Sequence, residues 1–184
     1  MHDPRLILVV DDTPADALLL SRSMSKAGFD VVVAHDGDAA IRVATERLPD
    51  LILLDITFPG RDGLEICRAL KLCTTTAVIP VVFVTGHSGA EHIVKAFAAG
   101  GADYVTKPIR VDEILARVSV QLRLREAEQL LEERNARLEE LTQSLAETNT
   151  QLAMQSRTDA LTHLVNRRAW DEAAQIEHER AQRH

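Results

Sequence analysis

Leu51-Ile-Leu-Leu-Asp-Ile-Thr-Phe-Pro-Gly-Arg-Asp-Gly63 decides the fold. Four apolar residues run straight into Asp55, and a loop containing Pro59, Gly60 and Gly63 follows at once. A short apolar run without polar alternation reads as a strand buried on both faces, the signature of a parallel sheet covered by helices. In open α/β sheets, chemistry collects at the carboxyl ends of the strands. Asp55 stands at such an end.

Working outward, strand and helix patterns alternate from Arg5 to about Arg110. Leu6–Val10 is a strand ending in Asp11-Asp12. Pro14 then opens a helix with Ala17, Leu18 and Leu20 that runs to Gly28. Phe29–Ala34 is a second strand, followed by a helix over Asp38–Arg47. The strand ending in Asp55 is third, with a helix from about Gly63 to Leu72. Val78–Thr85 is a fourth strand, with a helix over Ala90–Ala99 closed by Gly100-Gly101. Asp103–Thr106 is a short fifth strand, leading to Lys107-Pro108. Five strands alternating with helices predict a doubly wound α/β domain with a five-stranded parallel sheet and right-handed crossovers.

Beyond Pro108 the composition changes. No glycine or proline occurs in the remainder of the chain, and Leu, Glu, Arg, Gln and Ala dominate from Asp112 to about Ser156. These are strong helix formers, and one helix of that length would measure roughly 65 Å. Leu124, Leu131, Leu138, Leu145 and Leu152 recur every seventh residue. Sustained heptads with charged flanks predict a parallel, left-handed coiled coil. Two seams compete. One pairs the leucine row with Ala127, Arg134, Leu141 and Thr148, and the other with Glu128, Asn135, Thr142 and Asn149. Neither is fully apolar. Two near-degenerate packings suit a switch; a single weak, static coil is the plainer alternative.

Composition bounds the function. The chain has 184 residues, a formal net charge of −7 and only 3% aromatic residues. The acidic balance argues against nucleic acid as a partner. No apolar run approaches the roughly 20 residues of a membrane span. Cys67 and Cys73 read as free thiols of a reducing cytosol, which implies a cytoplasmic protein. His87 and His92 are five residues apart, so they do not share a helix face as a metal pair would.

The strand ends converge on one chemistry. Strands one and three deliver Asp11, Asp12 and Asp55; strand four delivers Thr85; strand five leads to Lys107. Clustered carboxylates repel one another, and a divalent cation relieves that cost. Oxygen ligands point to Mg2+ over Zn2+. A lysine and a hydroxyl suit an incoming phosphoryl group, and a carboxylate can be the nucleophile that accepts it.

With those motifs in place (Asp11-Asp12, Asp55-x-x-x-Pro59 with Asp62-Gly63, Thr85-Gly86, and Asp103-Tyr104 leading to Thr106-Lys107-Pro108), residues 5–122 resemble a bacterial response-regulator receiver domain. The resemblance implies a flavodoxin-like fold over residues 1–122, with the last receiver helix starting near residue 112. It also implies that Asp55 takes a phosphoryl group from a histidine kinase or phosphotransfer protein. Asp12, Asp55 and the Thr57 carbonyl would hold Mg2+, with Asp11 acting partly through water. Thr85, Gly86 and Lys107 would receive the phosphoryl oxygens. Tyr104 would change rotamer as Thr85 moves, the peptide before Pro108 would be cis, and Thr57 and His87 would tune dephosphorylation.

A second motif, Asp159-Ala-Leu-Thr-His-Leu-Val-Asn-Arg-Arg168, is similar to the opening of GGDEF-type diguanylate cyclase domains, with His163 in place of a glycine. That resemblance implies that Asp159 and Arg167 lock the turn joining a coiled-coil linker, residues 123–157, to the first part of a cyclase domain, residues 158–184. The GG[DE]EF loop is absent. The expectation is therefore a non-enzymatic front portion of a longer cyclase, or a naturally shortened protein. The reading is a homodimeric signalling module in which phosphorylation sets the packing of the coil. Two rivals are a stand-alone receiver acting as a phosphate sink or assembly module, and an aspartate-nucleophile phosphatase. The phosphatase is disfavoured because Thr57 stands where a second carboxylate would be needed for acid–base work.

Overall fold

The computed structural model describes residues 4–57, 62–86, 89–156 and 167–181. Pro59, Gly60, His87 and the Asp159–Asn166 stretch lie outside them. The elements run β1 (Leu6–Val10), α1 (Pro14–Lys26), β2 (Asp30–Ala34), α2 (Gly37–Arg47), β3 (Leu51–Asp55) and α3 (Gly63–Leu72). β4 (Val81–Thr85), α4 (Ala90–Ala98), β5 (Asp103–Thr106), α5 (Val111–Ser156) and α6 (Arg167–Ala181) follow.

The strands form one parallel sheet in the order β2-β1-β3-β4-β5. This is the doubly wound, flavodoxin-like arrangement expected from the sequence. The chain steps from β1 out to β2, then returns to place β3 on the other side of β1. The crevice at that reversal, outside the ends of β1 and β3, is where such sheets bind ligands.

Strand alternation builds two cores. Leu8, Val10, Ile52 and Leu54 face α2, α3 and the end of α4, through Ala40, Ala44, Ile66, Leu70 and Ala96. Ile7, Val9, Leu51 and Leu53 face α1 and α5, through Leu20, Met24, Ile114, Val118 and Leu122. Both faces of β3 are covered, which accounts for its unbroken apolar run.

Several boundaries move from their expected places for visible reasons. The fourth strand begins at Val81, not Val78. Lys71 Nζ donates to the carbonyls of Ala77 and Ile79 at 2.7 Å each, and Pro80 has no N–H for a ladder. Phe29 is not in the second strand, because its N–H closes the end of α1 by donating to the Met24 carbonyl. Asp36 caps α2 by accepting from the Ala39 N–H at 2.7 Å, so that helix starts at Gly37. The fourth helix ends at Ala98, one residue early, with Gly100 left-handed at φ 94°. In α1, Ala17 and Leu20 are buried while Leu18 is exposed.

The chain divides into two compact units, Met1–Glu128 and Gln129–His184. In the first, α5 stays attached to the domain beyond its last buried residue, Leu122. Arg125 Nη1 donates to the Pro49 and Asp50 carbonyls at 3.1 and 2.7 Å, and Arg5 pairs with Glu126 at 2.9 Å. The domain's anchoring thus extends past residue 122, where the linker was expected to begin. In the second unit, α5 continues from Gln129 as part of one unbroken 46-residue helix. Leu131, Leu138, Leu145 and Leu152 are all more than half exposed. Among the described residues no helix is long and apolar enough to cross a membrane.

Arg125 joins α5 to the turn before β3 through charge-assisted hydrogen bonds. Arg125→Met is therefore expected to destabilise the domain by about 1–3 kcal/mol. Urea unfolding followed by circular dichroism reads this as a lower midpoint at an unchanged slope.

Candidate functional site

β1 and β3 are neighbours in the sheet, so their carboxyl ends present Asp11, Asp12 and Asp55 side by side. One oxygen from each lies within 4.8 Å of the others, close enough for a single cation. Asp11 and Asp55 are buried, and Asp12 is half-buried. The oxygens of Asp55 have distinct partners. Oδ1 accepts from the Thr57 N–H at 2.9 Å, and Oδ2 accepts from Lys107 Nζ at 2.7 Å. Asp11 Oδ1 likewise accepts from the Thr13 N–H at 2.8 Å.

Lys107 arrives from the end of β5. Its backbone N–H donates to the Thr85 carbonyl at 2.7 Å, and the Lys107–Pro108 peptide is cis. Its ammonium reaches Asp55 and lies 3.4 Å from Asp11 Oδ2. It also donates to Asp16 Oδ2 at 2.6 Å, the shortest of the three contacts. Burial pulls the lysine's pKa down, but the contacts with Asp16 and Asp55 outweigh it and push the value above the ordinary range. Burial raises the Asp11 carboxyl, reinforced by the charges of Asp55 and Asp16 and opposed by the Thr13 N–H and Lys107.

The β3–α3 loop is held at both described edges. Asp62 caps α3 by accepting from the Leu64 N–H at 3.0 Å, and the Gly63 N–H donates to the Ile56 carbonyl at 2.9 Å. A Cβ on Gly63 would collide with the Asp55 carbonyl and come within 2.8 Å of Ile56 Cα, so only glycine fits there. Thr85 is buried at the end of β4. A Cβ added at Gly86 would meet no atom within 4 Å, so that position faces open space.

Tyr104 lies in an aromatic–cationic cluster. Its ring is edge-on to Phe97 at 6.0 Å, and the Arg117 guanidinium stands 5.8 Å from its centroid. Arg117 is held by Asp103 at 2.9 Å and Glu113 at 3.1 Å.

The structure thus brings Asp11, Asp12, Asp55 and Lys107 together, with the Thr57 N–H on Asp55 and Thr85 tied to Lys107 through the backbone. The proposed pair Asp159 and Arg167 cannot be placed, because Asp159 lies outside the described residues. Sequence reasoning missed Asp16, Phe97 and Arg117. Asp16 lies in the first turn of α1, where an acidic residue is ordinarily explained by the helix dipole. His35 is exposed, and its Nδ1 lies 3.1 Å from the Asp11 carbonyl.

Comparison with known proteins agrees with this geometry. Residues 7–119 match the family model of the response regulator receiver domain. Over 117 residues the chain is 41% identical to the DNA-binding dual master transcriptional regulator RpaA of Synechocystis sp., covering 64% of this chain and 48% of that protein. It is 38% identical over 122 residues to the DNA-binding response regulator MtrA of Mycolicibacterium smegmatis, covering 66% and 52%. The crystal structure of a response regulator from Chloroflexus aurantiacus superposes with a TM-score of 0.63 at 30% identity, covering 65% of this chain and 98% of that one. The chain belongs to the response regulator receiver family, a phosphorylation-dependent signalling class whose acidic pocket generally binds Mg2+ and whose partners are histidine kinases or phosphotransfer proteins. It spans about half the length of the curated relatives it matches.

An ionised Asp11 costs the folded state stability near neutral pH, because its pKa is raised there. That stability returns as pH falls through the raised value. Without Mg2+, Asp11→Asn is expected to gain stability relative to wild type as pH rises toward neutrality. The advantage over wild type should shrink on acidification, as thermal melts across a pH series would show.

Proposed function

We propose that Asp55 is the phosphoacceptor of this chain and that a histidine kinase or phosphotransfer protein is its donor. The observation that carries this reading is Asp55 itself: a buried carboxylate at the β1/β3 crevice, with one oxygen on the Thr57 N–H and the other on Lys107. In the transfer, a carboxylate oxygen attacks the phosphorus of a phosphohistidine. An O–P bond forms, the P–N bond breaks, and the freed imidazole nitrogen leaves with the donor. Asp11, Asp12 and Asp55, with the Thr57 carbonyl, would hold Mg2+, which supplies charge neutralisation for the phosphoryl oxygens when bound. The three clustered oxygens fit such a hard cation. Lys107 and Thr85 receive the phosphoryl oxygens, and the open space at Gly86 leaves room for them. Thr85 and Tyr104 form the switch, through which occupancy of the site reaches α4, β5 and α5.

The output runs along α5. The leucine row Leu124, Leu131, Leu138, Leu145 and Leu152 is exposed on a continuous helix, and a second copy of the same row is its natural cover. The chain acts as a parallel homodimer whose two seams are selected by the state of Asp55. The GGDEF-like motif at residues 159–168 supports a diguanylate cyclase as the regulated output. The DNA-binding role named for RpaA and MtrA is not carried over, because the chain matches only about half of each of them.

Light-scattering mass in Mg2+, with and without beryllofluoride, tests the assignment on wild type and Asp55→Ala. A monomer-to-dimer shift in wild type alone is the expected result. A dimer in every condition would leave control in the seam, testable by disulfide trapping at Arg134→Cys against Asn135→Cys. A monomer throughout would sink the coiled coil. Transfer of radiolabelled phosphate from acetyl phosphate is expected to label wild type and spare Asp55→Ala; equal labelling would remove Asp55 as the acceptor.

A further inference from the structure

Asp16 has no part in the reading above, yet it makes the shortest contact to the one cationic side chain that the described residues bring to the carboxylate cluster. Lys107 Nζ lies 2.6 Å from Asp16 Oδ2, against 2.7 Å from Asp55 and 3.4 Å from Asp11. The cation-sized trio is Asp11, Asp12 and Asp55, and Asp16 is not among them. Its carboxylate therefore meets the lysine, not the place a metal would take.

The plainer explanation is helix capping. Asp16 is the third residue of α1, where an acidic side chain commonly turns back to the N-cap N–H. That N–H, on Thr13, is already taken by Asp11 Oδ1 at 2.8 Å, and the Thr13 side chain makes no cap bond of its own. The Asp16 carboxylate is directed to the ammonium instead.

An ammonium has three N–H donors and no acceptor. In the resting site it is shared among three carboxylates. When a phosphoryl-type anion occupies Asp55, its oxygens require the same ammonium, and Asp16 adds a negative charge within one lysine's reach of them. Like charges at that range disfavour the anion's binding, the more so beside a half-buried site.

We propose that Asp16 is a positioning residue that anchors Lys107 in the resting site and competes with the phosphoryl group for it, thereby lowering the affinity of Asp55 for phosphoryl-type ligands. This rests on Asp55 being the phosphoacceptor. The residue acts through Lys107 and does not itself receive the ligand.

The test is a beryllofluoride titration of the full chain at saturating Mg2+, with bound fluoride counted by fluorine NMR, on wild type, Asp16→Asn and Asp16→Glu. Saturating Mg2+ removes any effect of Asp16 on metal affinity. The expected result is binding at least fivefold tighter in Asp16→Asn, with Asp16→Glu within twofold of wild type. A purely structural role in α1 would lower the melting temperature of Asp16→Asn and leave the ligand affinity unchanged. Nitrogen-15 NMR of the Lys107 ammonium provides a second readout. Without ligand, its signal should be protected from solvent exchange in wild type and lose that protection in Asp16→Asn. Binding by Asp16→Asn equal to or weaker than wild type would overturn the competition while leaving Asp55 as acceptor. Absence of bound fluoride in wild type would overturn the acceptor assignment, and this inference with it.

Discussion

The ammonium of Lys107 is the interaction on which the rest of the site depends. Asp11, Asp12 and Asp55 are forced together by the adjacency of β1 and β3, and two of them are buried. Carboxylates so placed repel one another in a medium that screens poorly. The lysine offsets part of that repulsion from the far side of the sheet. It is carried there by β5, two strands away from β3, and its backbone N–H is fastened to the Thr85 carbonyl. A single side chain thus joins β1, α1, β3 and β5 through Asp11, Asp16 and Asp55. Any anion that draws the lysine toward itself acts on all of them together.

The second constraint is the continuity of α5. Ile114, Val118 and Leu122 recur at intervals of four and press one stripe of the helix onto the sheet. Arg125 and Glu126 then tie the next turn to the rim of the domain. The leucine row begins at Leu124, on a different face, two residues after the packed stripe ends. A seven-residue spacing drifts by about 20° per repeat on a straight helix, so the five leucines form a row that winds slowly around it. No glycine or proline interrupts the sequence of α5.

Much of this was legible in the sequence because the relevant signals are local. Buried parallel strands write unbroken apolar runs, and Leu51–Leu54 ending in Asp55 is the clearest. The order of the reactive residues at successive strand ends pointed to one site without coordinates. What was not legible depends on side chains reaching across elements. The apolar run at Val78-Ile79 reads as strand, but Lys71 claims the carbonyls of Ala77 and Ile79 and holds that segment as a turn. Asp16 looks like an ordinary first-turn acid until Lys107 is seen beside it, 91 residues further along the chain. Arg117 and Phe97 flank Tyr104 only because β5 lies at the sheet edge beside α4 and α5. No periodicity in the sequence encodes those meetings.

The two rims of the sheet carry opposite burdens. At the carboxyl ends, like charges are concentrated and Asp11 is held in a state that burial opposes. Such a rim is poised to bind cations and anions because it is not at its own energetic minimum. At the amino ends, side chains instead pair with backbone groups, although Arg125 Nε is buried there without a partner. Asp50 Oδ2 accepts from the Leu6 N–H at 2.8 Å, while Arg125 takes the Pro49 and Asp50 carbonyls. Lys71 also binds two carbonyls near the start of β4. None of these contacts includes a group of the reactive cluster. The stability lost to function at one rim is therefore supported by bonds that ligand binding at the other does not touch. The α5 residues that leave the domain are anchored on that rim, through Arg125 to the Pro49 and Asp50 carbonyls and through Glu126 to Arg5.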